Sequence, residues 1–212
     1  MQDMTLQVNT VAEAIHERRV GRDRLLVAIC GAPASGKTTL AAEVSRRLRV
    51  QKCPCEVVPM DGFHLDNAVI EARGLLPRKG APETFDAHGF VRMIKALRDG
   101  DDVVAPRFDR ARDISIAGAI PIAPDCPVVI VEGNYLMFGE DPWAALAPLW
   151  DVTVRIDTPL PELRARLIQR WLSHNLSRAA ATRRAESNDI PNAQRVIDNS
   201  LDCDFTFGTT RD

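Results

Sequence analysis

The feature that most constrains this chain is a glycine-rich run that directly follows a short apolar segment. Residues 25–30 are all apolar, which is typical of a strand buried on both faces of a sheet. The next residues, GAPASGKT at 31–38, fit the pattern G-x-x-x-x-G-K-[ST]. Residues suited to a helix face then recur at helical spacing, at Leu40, Ala41, Val44, Ser45 and Leu48. A strand, a glycine-rich loop and a helix in this order predict an α/β fold that holds an anion at the helix N-terminus.

This loop, residues 31–38, predicts a site for nucleotide phosphates and a magnesium ion. Backbone N–H groups of such a loop converge on phosphate oxygens, and the helix dipole adds favourable potential. Lys37 is expected to reach the β- and γ-phosphates, and the Thr38 hydroxyl to ligate Mg²⁺. Pro33 has no N–H, so the other nucleotide contacts are expected from Gly31, Ala34, Ser35, Gly36 and Thr39. The competing interpretation, a glycine-rich turn that matches by chance, is disfavoured by the strand before it and the helix after it.

Composition limits the classes of protein to which the chain can belong. A length of 212 residues suits one domain, 1–212. The 27 basic and 29 acidic side chains nearly balance, which argues against a nucleic-acid partner. No apolar run approaches the length of a membrane span, and the first residues lack the pattern of a signal peptide, so a cytoplasmic location is expected. The five cysteines have no CxxC spacing and are expected to be reduced.

The rest of the pattern predicts strands that alternate with helices. An N-terminal helix is expected within 1–20, with Val8, Val11, Ala12 and Ile15 on one face. Further strands are predicted at 55–59, 127–131, 152–156 and near 203–207, and helices at 87–98, 159–174, 178–187 and 190–200. Residues 100–126 favour strands or a hairpin outside the main sheet. The alternation predicts a parallel sheet with helices on both faces.

Two carboxylates end predicted strands, where ligands bind in an open parallel sheet. Glu132 follows four apolar residues, the pattern of an acid that holds Mg²⁺ or its water shell. Asp61 ends the second strand and is placed to deprotonate a hydroxyl group near the γ-phosphate. The alternatives are a solvated acid at position 132 and a simple Asp-Gly turn at 61–62.

Several blocks of the chain resemble the P-loop kinases of small metabolites, the group of uridine kinase, phosphoribulokinase and bacterial pantothenate kinase. These blocks are DGFH at 61–64, GLLPRKGAPETFD at 74–86, PRFD at 106–109 and EGNY at 132–135. RWL at 170–172 and NDIPNA at 188–193 are similar to a bacterial subgroup named for kinases of fructose transport systems. The resemblance spans 25–207 and implies a P-loop NTPase fold and a kinase that uses ATP and Mg²⁺.

The resemblance also implies roles for individual residues. Asp61 matches the catalytic base, and Lys37, Thr38 and Glu132 match the phosphate and Mg²⁺ positions. The acceptor is expected to contact Arg78, Lys79, Phe85, Phe108 and Asp109, with His64, Asn134 and Tyr135 as further contacts or as core and loop residues. The implied acceptor is a hydroxyl of a small metabolite, such as fructose in carbohydrate metabolism.

The chain departs from parts of the family pattern. Uridine kinases carry a histidine shortly after the aromatic-acid pair, whereas residues 110–113 are RARD, which argues against uridine. Pantothenate kinases are appreciably longer. The regulatory cysteine of plant phosphoribulokinases lies within the loop, whereas Cys30 precedes it, so thiol regulation is not transferred.

An arginine-rich, lysine-free segment follows the last long predicted strand. Arg166 and Arg170 share a helix face at i,i+4 spacing, and the family places a mobile arginine lid here, at about 159–187. Arginines that close over the nucleotide stabilise the charge of phosphoryl transfer, so both are predicted to be catalytic. The competing interpretation is a solvated face in an arginine-rich chain.

Two other functions compete with a kinase. A regulatory GTPase would need an N-K-x-D motif, and the chain has none. A nucleotide-binding NTPase or accessory protein of a sugar transport system, without kinase activity, would not need all of Lys37, Thr38, Asp61 and Glu132. The sequence therefore favours the kinase.

Overall fold

The computed structural model describes residues 4–208. The helices are α1 (Thr5–Arg18), α2 (Lys37–Val50), α3 (Asn67–Ala72), α4 (Ala87–Arg98), α5 (Leu160–Ser173), α6 (Arg178–Arg184) and α7 (Ile190–Asp198). The strands are β1 (Leu25–Gly31), β2 (Glu56–Pro59), β3 (Val103–Asp109), β4 (Ile114–Ile122), β5 (Val128–Gly133), β6 (Val152–Asp157) and β7 (Phe205–Gly208). The N-terminal helix predicted within 1–20 therefore begins at Thr5; residues 1–3 and 209–212 lie outside the described part.

The core of the molecule is a five-stranded sheet in the order β2-β5-β1-β6-β7, with parallel pairing throughout. The central strands β1 and β5 are buried along their whole length, because their side chains other than Glu132 are apolar on both faces. One face packs against α1 and α2 through residues such as Val11 and Leu40, and the other packs against α4 through Phe90 and Ile94. The predicted parallel sheet with helices on both faces is confirmed.

The segment between α4 and β5 forms an antiparallel hairpin of β3 and β4 outside the main sheet, as its pattern indicated. The hairpin lies directly against the 3₁₀ turn Met60–Phe63, which follows β2. A Cβ atom on Gly62 would come within 2.4 Å of the Pro106 carbonyl oxygen, so only glycine permits this approach. The hairpin is thereby fixed beside Asp61.

The C-terminal helices differ from the prediction in one respect. The predicted helix 178–187 becomes α6, which continues through a π-helical turn, Ala185–Asp189, directly into α7. The π-helical turn brings Asn188 and Asn192 inward, and both are almost fully buried. Helical periodicity cannot reveal such a turn, since one extra residue shifts every later side chain around the axis.

The five cysteines are free thiols in the structure, and all except Cys203 are buried. The Cys30 and Cys203 sulfur atoms lie 3.8 Å apart. Within residues 4–208, none of the helices combines the length and the apolar character needed to cross a membrane.

Candidate active site

The glycine-rich loop links β1 to α2 and is shaped by close backbone packing. A Cβ atom on Gly31 would lie 2.7 Å from the Ile156 carbonyl oxygen, and Gly36 has a φ of 103° at the start of α2. The first N–H groups of α2 have no intrahelical acceptor, because the Leu40 N–H is the first to reach back, to the Gly36 carbonyl. The Ser35 N–H is an exception among the expected donors, since it bonds the Ala32 carbonyl at 3.1 Å.

The carboxylate of Glu132 lies beside this loop at the end of β5. Burial raises the pKa of Glu132, while the Lys37 ammonium and a hydrogen bond from the Thr38 hydroxyl oppose that rise. A buried carboxylate paired with a hydroxyl group is a suitable partial shell for Mg²⁺. In the part of the chain that the structure describes, no cluster of three or more His, Cys, Asp or Glu could hold a metal by itself. These residues fit Mg²⁺ whose remaining ligands come from phosphates and water.

Asp61 lies in the 3₁₀ turn after β2, and β2 is the neighbour of β5. The two carboxylates are close enough that the charge of Asp61 contributes to the raised pKa of Glu132. One carboxylate oxygen of Asp61 accepts a hydrogen bond from Arg110 at 2.5 Å, and its side chain is about a quarter exposed. Two carboxylates and the glycine-rich loop therefore lie together at the carboxyl edge of the sheet.

The ring of His64 is held between two aromatic residues beside Asp61. Its ring centroid lies 4.1 Å from that of Phe85 and 4.6 Å from that of Phe108, and Nδ1–H donates to the Asp61 carbonyl at 2.8 Å. Burial lowers the pKa of His64, which keeps the imidazole neutral near pH 7. Since Nδ1 carries the proton, Nε2 is left as a hydrogen-bond acceptor.

These parts line one cleft of about 610 Å³. It brings together most of the sequence-predicted site residues: Ala34, Gly36, Lys37, Thr38, Thr39, Asp61, His64, Lys79, Phe85, Phe108, Glu132, Asn134 and Arg170. Residues 26–190 match the model of the Phosphoribulokinase / Uridine kinase family. The chain belongs to this family. Members of the family are ATP- and Mg²⁺-dependent kinases with a small-molecule hydroxyl acceptor.

Individual proteins similar to this kinase cover most of its length. The Escherichia coli K12 protein YggC is 34% identical over 191 residues, which span 89% of this chain and 79% of YggC. A candidate uridine kinase of Schizosaccharomyces pombe is 30% identical over 204 residues, or 90% and 85% of the two chains. A crystal structure from Silicibacter sp. TM1040, described as a candidate fructose transport system kinase, matches with a TM-score of 0.90 and 50% identity. That match covers 94% of this chain and 98% of the other.

Lys79 is fixed at the rim of the kinase cleft by Phe108 and by two side chains that the motifs did not include. Its ammonium donates to Asn67 Oδ1 at 2.7 Å, lies 2.8 Å from a carboxylate oxygen of Asp113, and is 5.2 Å from the Phe108 ring centroid. Asp113 belongs to the turn of the β3–β4 hairpin. Nothing in the local sequence indicated that this turn meets residue 79.

The π-helical turn before α7 closes the cleft from the other side. The Asn188 amide donates to the Lys79 carbonyl at 2.9 Å, and the Asn192 amide donates to Asn188. The indole of Trp171 donates to Asp189 at 2.5 Å. The sequence singled out 170–172 and 188–193 only by resemblance, and the structure shows that these two segments contact each other.

The two arginines of the predicted lid have different environments. Arg170 lines the cleft, has no hydrogen-bond or ion-pair partner for its side chain within 4–208, and has a pKa lowered mainly by burial. Arg166 points elsewhere: it donates to the Ala34 and Ser35 carbonyls, both at 3.1 Å, and pairs with Glu162. These contacts tie Arg166 to the glycine-rich loop itself, and its catalytic role stays a prediction.

Other predicted contact residues also lie outside the cleft. Tyr135 is fully buried in the aromatic core and donates its hydroxyl to the Gly80 carbonyl at 2.6 Å, which fixes the Lys79 loop instead of an acceptor. Asp109 accepts from the backbone of Ala111 and Arg112 and so caps the hairpin turn. Arg78 reaches Asn192 at 3.3 Å. These residues shape the wall of the cleft from behind.

Proposed function

We propose that this kinase transfers the γ-phosphoryl group of Mg-ATP to a hydroxyl of an acceptor bound between Asp61 and Lys79. The observation that carries the proposal is the meeting of Asp61, Glu132 and Lys37 in one cleft, although they come from three separate elements. A phosphate site without an acceptor reaction would not need a second carboxylate beside it. The aromatic wall of His64 and Phe108 completes a pocket on the far side of Asp61.

The residues divide the chemistry between them. Thr38 and Glu132 would hold Mg²⁺, which would neutralise phosphate charge. Asp61 removes the proton of the acceptor hydroxyl, and Lys37 balances the negative charge that develops on the phosphate oxygens. Arg110 orients the Asp61 carboxylate, because its guanidinium holds one oxygen and leaves the other free to accept the proton. Arg170 adds a partly desolvated positive charge to the same cleft.

The acceptor that suits this cleft best is a polyhydroxylated molecule such as a sugar, with fructose as one candidate. His64 Nε2 is a hydrogen-bond acceptor, and Asn134 Oδ1 is buried with no partner among the described residues. Both atoms can accept hydrogen bonds from hydroxyl groups of a ligand. The description of the Silicibacter relative supports the same class. A cytoplasmic location is part of this proposal, since the phosphoryl donor is ATP.

The test is an ADP-release screen with Mg-ATP against sugars, polyols, hydroxy acids and nucleosides. We expect one acceptor class to stimulate turnover strongly, and Asp61→Asn to reduce that turnover by about 10²- to 10⁴-fold. ATP affinity, measured by calorimetry, should change little in this variant, because Asp61 contacts the acceptor. Asp99→Asn, an exposed aspartate at the end of α4, is the matched control.

Two results would contradict the proposal. Acceptor-dependent turnover that survives Asp61→Asn would remove Asp61 as the base. A basal rate that no acceptor raises would favour a nucleotide-binding NTPase or an accessory protein of a sugar transport system.

A further inference from the structure

Two cysteines that are distant in the chain meet beside the start of the glycine-rich loop, and phosphoryl transfer uses neither of them. The sulfur atoms of Cys30 and Cys203 lie 3.8 Å apart, although 173 positions separate the two residues. Cys30 lies in β1 directly before Gly31, and Cys203 lies in the segment that leads into β7. Both pack against the apolar cluster on the α4 side of the sheet. The contact therefore links a central strand to the chain that enters an edge strand.

The two thiols have different environments. Cys30 is only 3% exposed, whereas Cys203 is half-buried. A hydrogen bond from Cys30 and the nearby charge of Arg155 lower the pKa of Cys203 against the opposing effect of burial. The same hydrogen bond, together with burial, raises the pKa of Cys30. Because the thiolate is the reactive form of cysteine, Cys203 is the more reactive and the more accessible of the two.

The gap between the two sulfur atoms can close from the Cys203 side. A disulfide bond is about 2.0 Å long, so the sulfur atoms must approach each other by about 1.8 Å. The backbone of Cys30 is fixed, because β1 pairs there with Gly133 of β5 and with Arg155 of β6. Residues 201–203 lie outside the helices and strands, so rotation of the Cys203 side chain and a small shift of this segment supply the movement.

We propose that Cys203 is a site of oxidation by hydrogen peroxide and that Cys30 converts the product into a disulfide within the chain. The Cys203 thiolate attacks one peroxide oxygen, so an S–O bond forms, the O–O bond breaks, and the hydroxide that leaves takes up the proton lost by the Cys203 thiol. The Cys30 sulfur then attacks the Cys203 sulfur, so the S–S bond forms and the S–O bond breaks. The departing hydroxide takes the Cys30 proton and leaves as water. The two sulfur atoms together lose two electrons, which the peroxide accepts.

This disulfide ties the segment before β7 to the centre of the sheet. A cross-link between residues 173 positions apart closes a long loop in the unfolded chain and so lowers the conformational entropy of that state. The folded state loses little freedom, because the two sulfur atoms are already in contact. Oxidation therefore makes the kinase more resistant to unfolding.

The experiment treats the purified kinase with hydrogen peroxide, without ATP or acceptor, and maps its peptides by mass spectrometry under non-reducing conditions. We expect the Cys30 and Cys203 peptides to be joined, with a mass that has lost two hydrogen atoms, and dithiothreitol to separate them. The Tm of the oxidised protein should lie about 5 to 10 °C above that of the reduced protein.

Two variants separate the roles of the two cysteines. Cys30→Ala should stop after the first step, so that sulfenic acid accumulates on Cys203 and is trapped by dimedone. Cys203→Ala should leave Cys30 reduced and slow the loss of thiols about tenfold, since Cys30 is buried. Cys126→Ala is the matched control, because the Cys126 thiol is also buried but donates to the Val128 carbonyl. It should form the disulfide at the wild-type rate.

The proposal is overturned if Cys203 remains a thiol at peroxide concentrations that oxidise free glutathione, or if Cys203→Ala loses its thiols as fast as wild type. A disulfide between two copies of the chain, or between Cys53 and Cys55, would also overturn it. The peptide map of the wild-type protein decides the question even where a variant fails to fold. A Tm that falls on oxidation would contradict the stabilising effect of the cross-link. Neither result depends on the phosphoryl acceptor or on Asp61.

Discussion

The two halves of the active-site cleft are built in different ways. The phosphate half, formed by residues 31–38 and Glu132, is fixed by backbone: two fully buried strands, glycines at close approaches and a helix start. The acceptor half, formed by Asp61, His64 and Lys79 with their partners, is fixed by side-chain contacts between distant segments. The hydrogen bond between Asn188 and Lys79, for example, joins residues 109 positions apart.

This difference has consequences for stability and for specificity. The loop geometry of the phosphate half is part of the sheet core, so disturbing it disturbs the fold. The contacts of the acceptor half include exposed ion pairs such as Arg110–Asp61, each worth about 0–1 kcal/mol. Individual contacts of this kind can be exchanged without loss of the fold. The family can therefore keep one phosphate half and vary the acceptor half, which agrees with the different acceptors of its members.

Apart from the loss of the base in Asp61→Asn, the largest effect is expected in the phosphate half, from Lys37→Met. Turnover should fall by about 10²- to 10³-fold, because a charge next to the transferred group is lost while the backbone loop remains. ADP production at saturating acceptor measures the effect, and Lys95→Met, on the exposed side of α4, is the control. Near-normal turnover in Lys37→Met would mean that the loop binds phosphate through its backbone alone.

A smaller and more selective effect is expected in the acceptor half, from Asn188→Ala. This variant removes the hydrogen bond to the Lys79 carbonyl and leaves buried polar groups without partners, at a cost of about 1–3 kcal/mol. We expect the KM for the acceptor to rise about tenfold while the KM for ATP stays constant. Ser187→Ala, the exposed neighbour, should change neither. An equal rise in both KM values would show that the two halves are mechanically coupled.

The smallest effect concerns the charge of Glu132 and its dependence on pH. Burial raises the pKa of Glu132, so the folded protein binds this proton more tightly than the unfolded chain. The contribution of Glu132 to the stability of the fold is fully present below its ordinary pKa of 4.5. It is lost as pH rises through the raised pKa of the folded protein. Without Mg²⁺, Glu132→Gln should therefore have a higher Tm than wild type at about pH 8, and the difference should shrink under acid conditions.

Thermal unfolding with and without Mg²⁺ checks this expectation. Added Mg²⁺ should raise the Tm of the wild type more than that of Glu132→Gln, since the ion compensates the buried negative charge of Glu132. Glu13→Gln, on the exposed face of α1, is the control. A Tm difference that does not depend on pH would exclude charge burial as its cause.

The phosphate half was predictable because its signal is local. The apolar run at 25–30, the glycine positions and the helical spacing after Lys37 lie within one short stretch, and Glu132 follows a strand that only a buried sheet explains. In the acceptor half, Asp61 was predictable from its place at a strand end, whereas the other residues were predicted only by resemblance and less completely. Tyr135 and Arg166 have the right residue types in the right blocks, yet one is core and the other donates to carbonyls of the glycine-rich loop itself.

The parallel sheet, the phosphate loop and the acids at the strand ends follow from local patterns in the amino-acid sequence. Hydrophobic periodicity, glycine placement and apolar runs act through the backbone over a few residues, so they can be read without any long-range contact. The pairing of Arg110 with Asp61 and the hydrogen bond of Asn188 to the Lys79 loop follow only from the tertiary packing. These contacts depend on how distant segments pack, and a π-helical turn or a hairpin twist redirects a side chain without leaving a local signal.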